Sequence, residues 1–189
     1  MAPLTARLAS RNQGKLRELR ALLPAWEIEP LDANDYPPED GATYADNARK
    51  KARFARTLEP NAWVLGEDSG IEVEGLDWGP GVESARWAGG DEAGRMLDAL
   101  AGNPRRNARY VCELVALAPD GNEYRGTGVL AGRIADAPHG HDGFGYDPVF
   151  VPDGEARTVA ELGNDWKRLN SHRARAAASL LRAVGSATS

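Results

Sequence analysis

The residues of this chain that can do chemistry are gathered in five short polar segments, most of them punctuated by glycine. The first to weigh is Glu67-Asp68-Ser69-Gly70, two adjacent acids directly after the apolar run Trp63-Val64-Leu65-Gly66. Hard oxygen donors at the end of a buried strand suit Mg²⁺, and ligands of α/β proteins gather at strand C-terminal ends. Adjacent side chains on an extended backbone point to opposite faces, so one carboxylate can hold a metal while the other orients a water or a neighbour. An exposed acidic turn would carry the same letters. Glu39 and Asp40 offer a further metal ligand or a solvated loop.

The loop Ser10-Arg11-Asn12-Gln13-Gly14-Lys15 precedes a helical pattern. Unpaired N–H groups at a helix start, together with the Lys15 charge, favour a bound phosphate. It is not a P-loop, because the first glycine and the Ser/Thr after Gly-Lys are missing, and an ordinary strand-to-helix turn reads the same way. The helix Asn47 to Arg56 carries Arg49, Lys50, Lys51, Arg53 and Arg56. Such a run is usually a solvated face, but Lys51 lies nearest the apolar stripe and is the one placed to reach inward. The stretch His139 to Pro148 brings three glycines next to Phe144, Tyr146 and Asp147. Backbone can approach a ligand closely there, the rings can stack on a base, and the acid can accept hydrogen bonds. Its histidines and aspartates match no zinc spacing. Lys167 with Ser171-His172-Arg173 places cationic and donor groups at another helix start. The chain has only four lysines, Lys15, Lys50, Lys51 and Lys167, and all lie in these segments, where a compact ammonium suits a phosphate.

The elements that must position them alternate between strand and helix patterns. Thr5–Ala9 and Trp26–Leu31 read as strands, and the helix between them sets Leu16, Leu19, Leu22 and Leu23 on one face before Pro24. Thr43 and Asp46 have capping-box spacing for a helix whose inner face is Tyr44, Ala48, Ala52, Ala55 and Leu58. A strand is expected to stop at Glu67, with a half-exposed strand at Ile71–Glu74, a loop from Gly75 to Gly90 and a helix over Glu92–Leu100. Ala108–Ala118 and Glu123–Ile134 form a hairpin around Pro119-Asp120-Gly121-Asn122, and Val149–Val151 is a short strand. A polar segment then runs to Ser171, the expected N-cap of a final helix. The class is mixed α/β, one domain over residues 1–185 with a frayed tail at 186–189.

The chain has 189 residues, enough for one domain with a real core. A composition of 42% hydrophobic and 27% charged residues argues against wholesale disorder. The net charge of -5 supplies no basic field for non-specific nucleic-acid binding. Cys112 is the single cysteine, which excludes an internal disulfide and a thiolate cluster, and its apolar surroundings mark it as core. No stretch is long enough to span a bilayer and the N-terminus lacks an apolar signal core, so the cytoplasm is the expected location.

Taken in order, the segments resemble the inosine triphosphate pyrophosphatase family over nearly the whole chain. The matching blocks are Ser10–Lys15, Glu39–Tyr44 with Asn47-Ala48 and Lys51-Ala52, and Glu67–Gly70. Pro80-Gly81 with Ser84–Gly89, Gly143–Pro148 and Ser171–Arg173 complete the series. The resemblance implies a curved mixed sheet flanked by helices, two lobes around a deep cleft, and a homodimer. It also implies hydrolysis of non-standard purine nucleoside triphosphates (inosine, deoxyinosine, xanthosine) to monophosphate and pyrophosphate, with Mg²⁺. On this likeness Asp68 is the catalytic carboxylate and a metal ligand, with Glu39 and Glu67 as metal-side support. Ser10, Arg11, Asn12, Gln13, Gly14, Lys15, Lys51 and Ser69 line the triphosphate. Phe144, Gly145, Tyr146, Asp147, Lys167, His172 and Arg173 hold base and sugar. Two departures stand out: Glu67 occupies a place where many members have Asp, and Gly163-Asn-Asp-Trp166 is atypical. A pyrophosphatase of other base preference and a catalytically silent nucleotide sensor are the competing readings.

Overall fold

The computed structural model describes residues 4–187. Its strands are β1 (Leu4–Leu8), β2 (Trp26–Pro30), β3 (Trp63–Val73), β4 (Gly79–Pro80), β5 (Asn107–Leu117), β6 (Glu123–Ile134) and β7 (Phe150–Pro152). Its helices are α1 (Gln13–Leu22), α2 (Tyr44–Leu58), α3 (Ser84–Ala88), α4 (Glu92–Ala99), α5 (Val159–Asn170) and α6 (His172–Ala187). The strands form one mixed sheet in the order β2-β1-β3-β5-β6-β7, with β4 paired to β3. β1 runs parallel to both β2 and β3, while β3–β4 and β6–β7 are antiparallel. The expected class, a mixed sheet flanked by helices, is the observed one.

The described chain divides into two compact units. The first comprises residues up to Asp68, Cys112–Gly128 and the segment from Arg173; the second comprises Ser69–Val111 and Val129–His172. β3, β5 and β6 contribute to both. In the first unit, Leu16 and Leu19 of α1 and Ala176, Ala177 and Leu180 of α6 bury against Ala6, Leu8, Leu65 and Leu114 of the sheet. Each such leucine contributes roughly 1.5–3 kcal/mol of burial. On the other face, Ala48, Ala52 and Ala55 of α2 pack on Val64 and Val115. In the second unit the core joins Ile71, Val73, Met96, Leu100, Tyr110, Val149 and Phe150.

Local signals explain most of the helix starts. Asn12 caps α1 by accepting from the Lys15 amide, and Thr43 and Asp46 form both halves of the anticipated capping box of α2. Leu58, expected on the inner face of α2, is 48% exposed, because the helix reaches its last turn beyond the edge of the core.

Three further expectations are corrected. β3 does not stop at Glu67 but runs unbroken through Val73, so the acid pair is mid-strand; its polar letters interrupt the apolar run without interrupting the backbone. The expected loop 75–90 contains β4, α3 and two short 3₁₀ turns. The polar segment before Ser171 is α5, capped by a Thr158–Glu161 box and kinked at Gly163, whose φ of 82° departs from the helix. Ser171 ends α5 in an extended conformation and α6 begins at His172. Of the expected tail 186–189, α6 includes Ser186 and Ala187, and residues 188–189 lie outside the described part. Among the described residues, no helix is long and apolar enough to cross a membrane.

Candidate active site

The acid pair of β3 is buried, Glu67 fully and Asp68 at 3% exposure, which rules out the solvated acidic turn. Their side chains diverge, as alternation along a strand requires. Asp68 Oδ2 accepts from Asn47 Nδ2 at 3.0 Å, and Asp68 Oδ1 faces Lys51 Nζ at 3.2 Å. Asn47 and Lys51 are one helical turn apart on α2 and therefore share a face. Lys51 also donates to the Glu67 carbonyl at 2.8 Å and pairs with Glu39. Asn47 is held in turn by accepting from the Gly41 amide at 2.8 Å. The close approach of α2 depends on Gly66, where any Cβ would collide with the Ala48 carbonyl.

Glu67 serves a different group. Its Oε1 accepts from Arg173 Nη2 at 2.9 Å, and its Oε2 forms an ion pair with Lys15 Nζ at 2.7 Å. Cys112 Sγ donates to Oε1 at 3.5 Å, and Arg173 also pairs with Glu18.

Electrostatics separate the two acids. Burial would raise Glu67, but Lys15, Arg173 and Lys51 outweigh it and hold its carboxyl well below the usual range. Burial pushes Asp68 above its ordinary value, and the Glu67 charge adds to this against the pull of Lys51 and Lys15. Lys51 is opposed by burial, yet Asp68 and Glu39 raise it. One acid is thereby held as a carboxylate and its neighbour is made more basic, a division suited to proton abstraction.

Mg²⁺ requires oxygen ligands and is commonly held by one or two carboxylates plus substrate phosphates. Asp68 and Glu39 fit that description, since both oxygens converge on the single Lys51 ammonium. Glu67, expected as metal support, has both oxygens engaged by Arg173 and Lys15. No trio of His, Cys, Asp or Glu forms a protein-only metal cage among the described residues.

Of the other residues expected at the triphosphate, those of the loop 10–15 sit around the start of α1. Ser10 Oγ accepts from the Asn12 amide at 3.2 Å, and the exposed Gln13 and half-buried Gly14 form the first helical positions. Arg11 turns away, its guanidinium 5.0 Å above the Tyr36 ring. Ser69 is half-buried and falls in the second unit.

That unit assembles a second constellation. Asp147 is 3% exposed and its Oδ2 accepts from Lys167 Nζ at 2.6 Å and from the Phe144 amide at 2.9 Å. Lys167 lies 4.8 Å over the Phe144 ring. Tyr110 donates to Asp147 Oδ1 at 3.3 Å and stacks on His172 with centroids 4.5 Å apart. The φ of 82° at Gly143 suits glycine, and a Cβ there would strike the Asp147 carboxylate. Gly145, at φ 67°, completes the turn. Tyr146 is instead a core residue, its hydroxyl donating to the Ser84 carbonyl at 2.8 Å, and burial pushes its phenol up. Arg173 does not join this group; the chain passes from one unit to the other between His172 and Arg173. Asn47, Tyr110 and Glu18 were not assigned site roles from the sequence. The Asn47-to-Lys51 helical spacing was a usable signal for the first, and nothing local marked the other two.

The Ham1 family model matches residues 6–183. The chain belongs to the Ham1 family. It is 43% identical over 182 residues to a dITP/XTP pyrophosphatase of Bdellovibrio bacteriovorus, covering 89% of this chain and 92% of that protein. It is 46% identical over 183 residues to one of Symbiobacterium thermophilum, covering 92% and 91%. Among solved structures, a HAM1 protein from Coxiella burnetii superposes with a TM-score of 0.84 at 34% identity, covering 97% of this chain and 99% of that one. The Staphylococcus aureus Ham1 protein gives 0.83 at 32% identity, with 98% and 100% covered. The family indicated by the spaced motifs is thus the family found.

Proposed function

We propose that this chain is an Mg²⁺-dependent hydrolase of non-standard purine nucleoside triphosphates (inosine, deoxyinosine and xanthosine), yielding the monophosphate and pyrophosphate. The observation that carries the reading is Asp68, a buried carboxylate held by Asn47 and Lys51 in the same unit as a loop suited to phosphate. The relatives are named dITP/XTP pyrophosphatases, which supports the deoxyinosine and xanthosine triphosphates of this reading.

In this reading Asp68 takes the proton of a water that attacks the α-phosphorus. The bond from that phosphorus to the bridging oxygen breaks, and pyrophosphate leaves with the bonding pair. Lys15 and Lys51 stabilise the charge that accumulates on the leaving group. Mg²⁺, held by Asp68 and Glu39 with the substrate's phosphates, would neutralise charge and orient the phosphates. Asp147, Lys167, Phe144 and His172 recognise the base. A site built to pair a 6-oxo purine leaves groups unpaired against adenine, which a buried site rejects by about 10⁴-fold or more. A cytoplasmic homodimer that keeps the nucleotide pool clean is the setting we infer.

Product analysis tests this. Magnesium-dependent release of pyrophosphate from inosine or xanthosine triphosphate, with adenosine triphosphate spared, is the expected result. Release of orthophosphate alone would exclude attack at the α-phosphorus. A different preferred base would redirect the substrate assignment, and tight binding without turnover would make the chain a sensor.

A further inference from the structure

The four side chains Glu18, Arg173, Glu67 and Lys15 form an alternating series of charges. Arg173 Nη1 pairs with Glu18, Arg173 Nε and Nη2 reach Glu67 Oε1 at 3.3 and 2.9 Å, and Glu67 Oε2 faces Lys15 Nζ at 2.7 Å. All four are withdrawn from solvent: 2% side-chain exposure for Arg173, 0% for Glu67, 16% for Lys15 and 17% for Glu18. Glu18 follows Lys15 by three positions on α1, so the series begins and ends on one helix face. Lys15 faces the leaving group in the proposed reaction, and Glu18 connects to Lys15 through Arg173 and Glu67.

An arginine stays charged inside a protein and presents its donors as a rigid fork. Two parallel contacts to one carboxylate are its strongest geometry. Here the fork is divided. Glu18 takes Nη1, so Arg173 satisfies its other edge with a single Glu67 oxygen, and the second Glu67 oxygen remains for Lys15. A lysine in the first turn of a helix is repelled by the macrodipole, which makes that second oxygen the counterweight that keeps the ammonium at the loop.

We propose that Glu18 is a positioning residue for triphosphate binding: by dividing the Arg173 fork it leaves Glu67 free to fix Lys15 at the phosphate loop. Without Glu18, Glu67 is the carboxylate already touching Arg173, and it turns both oxygens toward the guanidinium. Lys15 then loses its anchor and must be ordered by each incoming phosphate. The inference rests on the proposed function only for the identity of the phosphate ligand.

The test compares the wild-type chain with Glu18→Gln and Glu18→Asp, using inorganic tripolyphosphate and phosphate-free inosine as probes in calorimetric titration. Glu18→Gln weakens tripolyphosphate by about tenfold, which is about 1.4 kcal/mol. KM for inosine triphosphate rises in parallel, kcat changes less, and inosine binding stays at the wild-type value. Glu18→Asp, which keeps the charge with a shorter reach, lies between the two and serves alone if the glutamine variant does not fold. Tripolyphosphate affinity and KM at wild-type values in either folded variant would overturn the proposal, as would equal weakening of both probes. If the wild type hydrolyses no purine triphosphate while the tripolyphosphate effect appears, the function reading fails and the positioning role stands.

Discussion

Lys51 of α2 joins two carboxylates from different segments, pairing with Glu39 and standing 3.2 Å from Asp68 in the middle of β3. The ammonium occupies the position that any cation shared by these acids must contest. Its own ionisation is favoured by Asp68 and Glu39 despite burial, while Asp68 is left more basic than an exposed aspartate. Lys51 therefore keeps the acids together and lowers, without removing, the basicity of Asp68.

Asp68→Asn separates chemistry from folding. The amide has nearly the same volume, and its oxygen can still accept from Asn47, but it cannot take a proton. Loss of a positioned general base lowers kcat by about 10²–10⁴-fold. Steady-state release of pyrophosphate from inosine triphosphate measures this, with thermal unfolding as the control for structure. Near-normal turnover in a folded variant would remove Asp68 from the catalytic role.

Glu67 predicts a pH dependence of stability. Its folded pKa is depressed below the unfolded value of 4.5 by Lys15, Arg173 and Lys51 against burial. The unfolded chain therefore binds the proton first, and the Glu67 contribution is complete above about pH 4.5 and is lost as pH falls through the folded value. Glu67→Gln, which breaks a buried pair, destabilises the protein by about 3–5 kcal/mol at pH 7. That deficit shrinks below pH 4.5, because the unfolded wild type takes up a proton on Glu67 that the folded protein does not. Denaturant titrations at pH 7 and pH 3.5 check this, and a deficit of constant size would show that folding does not lower the Glu67 carboxyl.

The legible parts of the molecule were those with local causes. The Thr43–Asp46 box announced α2, the leucine spacing announced α1, and the glycine-rich turn at 143–148 announced a close backbone approach. What stayed hidden depends on partners distant in sequence. Glu67 and Asp68 look like a strand end because two acids cannot lie in a buried strand alone, and their compensation comes from Lys15, Lys51 and Arg173. α5 was obscured by Gly163-Asn-Asp, although the Thr158-x-x-Glu161 box was present as a start signal. Arg173 adjoins His172 in a motif expected on the base side, but its guanidinium turns to Glu67 and Glu18, a direction that no spacing encodes.

Gly66 carries the registration of α2 against β3. A methyl group there would meet the Ala48 carbonyl and lie 2.7 Å from the Ala52 nitrogen, both parts of helix backbone that cannot rotate away. Gly66→Ala therefore displaces α2, and Asn47 and Lys51 move with it. Overpacking of this kind costs about 1–3 kcal/mol. Denaturant unfolding gives that loss, and kcat falls with it even where the variant is fully folded. A folded Gly66→Ala protein with unchanged kcat would show that Asn47 and Lys51 need not be held at their present distance from Asp68.

Asp147 binds its neighbours through acceptance alone, taking donors from Lys167, the Phe144 amide and Tyr110. Asp147→Asn keeps the shape but removes the charge that Lys167 pairs with, and an NH₂ group at the Oδ2 position deprives both Lys167 and the Phe144 amide of their shared acceptor. The ammonium is then free to point elsewhere on its flexible stem, and the pattern presented to a purine is no longer single. Breaking a buried pair costs about 3–5 kcal/mol of stability. The functional effect falls on selectivity: kcat/KM for inosine triphosphate drops by about 10²-fold while the low value for adenosine triphosphate changes little, because that base never satisfied the site. Separate kcat/KM measurements on the two nucleotides decide the matter. Equal losses on both would assign Asp147 to folding of the second unit rather than to recognition of the base.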